Sequence, residues 1–392
     1  MYRIPKALLP KFLWRPIFEY LLLDNISKLS LVNIMFLDML SDDNWKQRFQ
    51  HERNNNIVIV KCNANRMDGF WKHACVNMIA CTNFNDMFTT IESDNKINAD
   101  SGTAIFIYYK VFIKAGKYNA SASTGERYNI NYTPCSIEIN GCKTNPSIIN
   151  YPNAYHADYL ITPLYFSMKY ITFHDIFSNL IFRNYYWRTD KHYNENKLCF
   201  SNCIFKGIES EWVNMHYFYD IAITNCKFEA TGLNIFAVNK LSITDCIFNN
   251  SIIRIDNIGY LIKLDYIISD NTFCDLTGDM AVENGFICFG GIYDIPSLFI
   301  VKNNIIMNTT ILCINNSRFI SVMFTNNIIS NINSCINRNK IIGEISNTIF
   351  ENNTFTNVDR LYYSTVVRLH HSKLCSNNIF NNCGAELIQY VE

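Results

Sequence analysis

Two textures of apolar and polar residues divide this chain. From residue 101 onward, apolar residues come in short runs that end in Asn-rich turns. Leu241-Ser-Ile243, Leu298-Phe-Ile-Val301 and Phe319-Ile-Ser-Val322 are examples. The runs are rich in Ile, Phe, Tyr and Thr and poor in Ala and Leu, which favours strands over helices. In the first fifty residues, apolar positions recur instead at helical spacing, in runs over 12–23, 26–32 and 34–40. Asp24 or Asn25 is placed to cap the second of these.

A single short motif returns eight times within the strand-like region. It reads Asn or Asp, then Asn or Cys, then any residue, then Phe or Ile. Its copies begin at Asn202, Asn225, Asp245, Asp270, Asn303, Asn326, Asn352 and Asn377. The successive spacings are 23, 20, 25, 33, 23, 26 and 25 residues. Repeats of this length predict a stacked, quasi-one-dimensional architecture. Asn tolerates left-handed backbone and bonds its own chain, so it suits a sharp bend between strands. An all-helical repeat is excluded, because paired Asn residues would interrupt every helix. The expected fold is mainly β, a right-handed parallel β-helix solenoid over 101–392. A small three-helix domain over 1–50 precedes it, and a connector with a capping helix over 51–100 joins the two.

Stacking makes equivalent residues neighbours along the axis. Phe173, Phe205, Phe228, Phe248 and Phe273 should form an interior aromatic ladder, continued by Ile306, Ile329, Phe355 and Phe380. Cys203, Cys226 and Cys246 should form another ladder, and the turn Asn residues a third, bonded side chain to side chain. Less regular coils are expected earlier, at 105–118, 136–141 and 170–173. Residues 83–92 read as a short amphipathic helix that covers the open end of the core. No such plug is evident after 389–392, so that edge is expected either to be tolerated or to meet a partner.

Composition narrows the function classes. Lys plus Arg and Asp plus Glu number 34 each, and only 17% of residues are charged, so no broad electrostatic footprint for nucleic acid exists. No apolar run reaches the length of a membrane span. Lys6, Pro10, Lys11, Arg15 and Pro16 interrupt the first apolar stretch, which is unlike a secretory leader, so an intracellular protein is expected. The 15 cysteines then read as reduced thiols. No cofactor or metal is expected: Cys199 and Cys203 lack the second pair a zinc site needs.

Candidate chemistry is sparse. Asp245 and Asp270 hold the same motif position in adjacent repeats, so their carboxylates are the best candidates for a polysaccharide-cleaving pair. The competing reading, that each replaces a turn Asn, carries more weight because Asn225 and Asn303 flank them. His370 and His371 are adjacent on a strand and face opposite ways. Two units expand into loops, at 183–198 and 279–296. Tyr185, Tyr186, Trp187 and Arg188 in the first are residue types that make interface hot spots, and they are the candidate target-binding residues.

The N-terminal texture has a further content. Leu9-Pro10, Ile17-Phe18, Tyr20-Leu21, Asp24, Leu29-Ser-Leu-Val32, Phe36, Leu40 and Trp45 fall in the register of the F-box, which residues 8–50 resemble. Pro16 predicts a kink or a late start in the first helix. The resemblance implies docking to a Skp1-type adaptor, and through it to a cullin ubiquitin ligase. Leu9, Pro10, Ile17, Leu21, Leu29 and Val32 stand at the matching contact positions. The order of F-box, spacer and β-helix is similar to F-box-only β-helix proteins and to F-box proteins of large DNA viruses. What this implies is a non-catalytic substrate receptor that presents an unknown target protein for degradation, with host degradation redirected if the source is viral. The repeats alone also resemble pectate lyases and polygalacturonases. A carbohydrate-binding or carbohydrate-cleaving protein, or a multimeric structural β-helix, are the alternatives.

Overall fold

A computed structural model of the chain describes residues 42–63, 77–101, 106–119, 128–129, 135–150, 158–161, 164–176, 180–183, 196–256, 264–276, 287–290, 297–309, 314–315, 321–333, 342–346, 348–359, 367–370, 374–383 and 388–391. The protein is mainly β, and its described residues form two long sheets, one of thirteen strands and one of twenty. The thirteen-stranded sheet opens with an antiparallel set: β1 (Ile57–Asn63) lies between β2 (Met78–Cys81) and β3 (Ile107–Phe112). From β3 onward every neighbour is parallel, through Cys135–Asn140, Tyr165–Lys169 and Lys197–Ser201 to Leu374–Ser376. The remaining strands of each coil form the twenty-stranded sheet, also parallel. In Ile204–His216 and Lys227–Phe236 two segments of a coil merge into one strand, and in later coils a turn separates them. Strands one repeat apart therefore pair in parallel throughout, which is consistent with a β-helix.

The aromatic ladder stands as the spacing requires. Phe173, Phe205, Phe228, Phe248 and Phe273 stack with ring centroids 5.0, 4.9, 4.7 and 4.8 Å apart, all nearly parallel. Strand register carries the row on through Ile306, Ile329, Phe355 and Phe380. The turn Asn ladder stands as its own row, with Asn225 Nδ2 donating to Asn202 Oδ1 and Asn303 Nδ2 to Asp270 Oδ1, while the Cys ladder runs on into the second-position Asn residues. The Cys203 and Cys226 amides each donate to the next Cys sulfur at 3.5 and 3.4 Å, and the Cys246 amide donates to Asn271 Oδ1 at 2.8 Å. Asn271, Asn304, Asn327 and Asn353 continue it, each fully buried, each receiving the amide of the coil before. Each also returns a hydrogen from Nδ2 to a carbonyl of an earlier coil, so the polar groups the turn buries are paired.

The first residue of each motif sits in left-handed backbone, from Asn202 (φ 54°) to Asn377 (φ 57°). Earlier coils fill the same turn with Gly141 and Tyr170: the amides of both donate to the following coil in the pattern that Asn202 keeps. Glycine is required at 141, because a Cβ there would lie 2.1 Å from the Tyr170 carbonyl oxygen. A second left-handed row lies two residues after the Phe/Ile rung, at Asn250, Asp275, Asn308, Asn331, Asn357 and Asn382. It too is a ladder, with Nδ2 of Asn331, Asn357 and Asn382 donating to the preceding Oδ1 at 3.1, 3.1 and 2.7 Å.

At the N-terminal end, α1 (Asp42–Asn55) crosses position 50 and packs Phe49 edge-on against Phe112 at 5.2 Å. The helix expected over 83–92 is present and longer than its pattern suggests: α2 runs Phe84–Asp100, with Asn83 as N-cap accepting the Asp86 amide. Phe84, Met87, Phe88 and Ile91 are buried in the common core. Tertiary bonds carry the helix past residue 92. Asp94 takes Lys61 Nζ at 2.9 Å and the Tyr109 hydroxyl at 2.6 Å. The three-helix segment expected before residue 41 lies outside the described residues.

Candidate interaction face

Asp245 and Asp270 adopt left-handed backbone at φ 56° and 62°, in the turn row of Asn202, Asn225, Asn303, Asn326, Asn352 and Asn377. Their amides donate to the Ser269 and Lys302 carbonyls of the next coils, as those of the Asn residues do. Asp270 Oδ1 accepts Asn303 Nδ2 at 3.0 Å, the bond a turn Asn would make. Both residues therefore take the backbone role of the row, and the Asp270 carboxylate also takes its side-chain bond. Asp245→Asn and Asp270→Asn should each change stability by no more than about 0.5 kcal/mol, read from the thermal midpoint. A loss several times larger would show that the carboxylates hold something the row does not require.

The loop carrying Tyr185, Tyr186, Trp187 and Arg188 lies outside the described residues, as do Leu9, Pro10, Ile17, Leu21, Leu29 and Val32. The strand from which the loop departs, Leu180–Arg183, is described. Arg183 pairs in register with His216 and sets its guanidinium over the Tyr217 ring at 5.1 Å. The His216 ring meets Phe236 at 5.5 Å. Burial first, and the Arg183 charge second, hold His216 down at about 4, so it is neutral at pH 7. The foot of the loop is thus a compact patch of one guanidinium and three rings.

The outer face of the thirteen-stranded sheet brings together residues that no sequence motif singles out. On the earlier coils it is polar. Lys169 pairs with Glu138 at 3.0 Å and Lys197 with Asp220 at 2.8 Å. Between these pairs lie Tyr165, Ser167 and Cys199, with Cys199 opposite Ser167 in register. Burial pushes the Tyr165 phenol and the Cys199 thiol up, so both stay protonated. Further along, the middle column turns apolar. Register aligns Cys199, Ala222, Ser242, Ile267, Ile300, Met323 and Ile349. Ile267 is 37% exposed, and Leu298 beside Ile300 is 36% exposed. A strand with one solvated face alternates apolar with polar. The unbroken run Leu298-Phe-Ile-Val301 is the available sign that this strand is apolar on both faces, but only the register shows which residues point out. Ile300 does, while Phe299 and Val301 are buried.

Among the described residues no helix is long and apolar enough to cross a membrane. No family model matches the chain, and neither a curated protein nor a solved structure matches it.

Proposed function

We propose that the protein is a substrate receptor of a cullin-type ubiquitin ligase: the F-box-like segment docks a Skp1-type adaptor, and a right-handed β-helix displays a target-binding surface. The F-box register at Leu9, Pro10, Ile17, Leu21, Leu29 and Val32 is the observation that carries this reading. The interior chemistry agrees with a scaffold role. Of the side chains that could serve catalysis, Asp270 is bonded in the turn row and the motif Cys residues in the inner ladder, and Asp245 keeps the same turn backbone. The solvent-facing apolar column through Ile267, Ile300 and Met323 is a surface suited to contact another protein. The loop with Tyr185, Tyr186, Trp187 and Arg188 would add its own contacts beside the Arg183–Tyr217 patch.

Co-expression with a Skp1-type adaptor, followed by size exclusion, tests the reading. A stoichiometric complex is expected, and it should be lost in a Leu9→Ala/Pro10→Ala/Ile17→Ala variant whose melting is unchanged. Equal capture of that variant would remove the docking assignment. Absence of any complex with well-folded protein would reduce the N-terminal segment to a helical domain of the scaffold.

A further inference from the structure

Four consecutive coils carry one six-residue segment, at 303–308, 326–331, 352–357 and 377–382. It reads Asn-Asn-Ile/Thr-Ile/Phe-x-Asn and contains no charged residue in any copy. Its second and fourth residues are rungs of the inner ladders, and the other four line the surface. In register these make a column of Ile247, Thr272, Ile305, Ile328, Thr354 and Ile379. Beside it runs a column of Asn249, Cys274, Met307, Ser330, Thr356 and Asn381. The two left-handed Asn rows border the strip. Ile247, Ile305, Ile328 and Ile379 are 43%, 36%, 49% and 53% exposed, so the column is solvent-facing along its length. Charges stand at its margins, Lys302 and Glu351 just before the turn row and Asp245, Asp270 and Asp275 in the preceding coils, and then fully in the Lys206–Glu229–Lys227 cluster.

We infer that this strip is a self-association face on which two copies of the chain meet. This goes beyond the receptor reading and does not depend on it. Three features favour a second copy over another occupant. A second copy has the same coil spacing of about 4.8 Å, so rungs that meet at one coil meet at all of them. A helix, with its pitch of about 5.4 Å, drifts out of step. An isologous contact sets like against like, which a charged strip would resist and this one does not. The amides are also self-complementary: after its ladder bond, an outer Asn such as Asn331 or Asn357 has a second N–H to offer.

Area sets the strength. Six coils of about 4.8 Å by six residues of about 3.3 Å rise give roughly 570 Å² per copy. That is about 1,100 Å² in total, just under the 1,200–2,000 Å² of stable complexes, so the dimer is weak and concentration-dependent.

Sedimentation equilibrium of the full chain between about 5 and 500 μM tests this, a range that brackets dissociation constants for weak dimers. The weight-average mass should climb toward twice the chain mass and respond little to added sodium chloride. An I305K/I328K variant should associate at least tenfold more weakly at unchanged melting temperature. Ser242→Lys, on the other sheet, should associate as the parent does. Should the first variant melt early, Thr354→Lys with Thr356→Lys one coil along serves the same end. A parent that stays monomeric throughout overturns the inference, as does association that survives both pairs of lysines.

Discussion

Asn327→Ala should cost about 3–5 kcal/mol of stability, the sum of two buried polar groups left without partners and the bonds lost beside them. Asn327 is fully buried. Its Oδ1 accepts the Asn304 backbone amide and Asn304 Nδ2, each at 3.0 Å. Its Nδ2 donates to the Val301 carbonyl and to Asn353 Oδ1, again at 3.0 Å. Truncation orphans the Asn304 amide and removes the carbonyl's partner at a place water does not reach. Asn331→Ala provides the contrast. Asn331 also sits in an Asn ladder, giving one hydrogen to Asn308 and receiving one from Asn357, but these bonds lie at the surface and water replaces both. Its cost should stay near 1 kcal/mol or below. Urea unfolding of the two variants reads the difference directly, as a shift in midpoint at similar slope. Asn327→Cys refines the test. The row already contains Cys203, Cys226 and Cys246, and the sulfurs of the last two accept the same amide at the longer distances of 3.5 and 3.4 Å. Cysteine at 327 should therefore recover a good part of the alanine loss. No recovery would mean that the amide-to-side-chain bond is not what stabilises the row.

That row also shows what can be read from residues alone. The motif places Cys203 and Asn304 at the same position, so their shared burial follows from counting. That Cys and Asn form one continuous row depends on the Cys246 amide reaching Asn271 Oδ1, which only three-dimensional register reveals. The outer Asn row two residues after each Phe/Ile rung is harder to see. Ala230 takes that position in an early coil, also at positive φ, and breaks the pattern where the motif is otherwise strongest. The helix end at Asp100 is not legible, because Asp94 is fixed by Lys61 and Tyr109, far from it in sequence. The outer face of the long sheet is hidden for a related reason. Alternation tells that Ile300 and Val301 point opposite ways, and only the pairing of strands tells which way is out. The turn role of Asp245 and Asp270, by contrast, is legible, since Asn225 and Asn303 occupy the flanking positions of the same row.

Phe228→Ala should be the most damaging single truncation of the aromatic ladder. Phe228 is fully buried between Phe205 at 4.9 Å and Phe248 at 4.7 Å. Loss of the ring removes about 3–5 kcal/mol through burial and the cavity left behind. Two stacking contacts of about 0.5–1.5 kcal/mol each place the expected value at the top of that range. The cavity cannot close easily, because coil spacing is set by backbone hydrogen bonds above and below it. Phe380→Ala removes the same side chain from the same ladder. It stacks on Phe355 alone among the described rings, at 5.1 Å, and is already 38% exposed, so its cost should fall near 1–2 kcal/mol. In a solenoid each coil leans only on its neighbours, so the two variants should also differ in cooperativity. Phe228→Ala should let the coils on either side of it unfold separately, seen as a broadened or split thermal transition. Phe380→Ala should fray the last coil and leave the main transition sharp. Equal losses in the two variants would mean that neither burial nor stacking along the axis sets the cost.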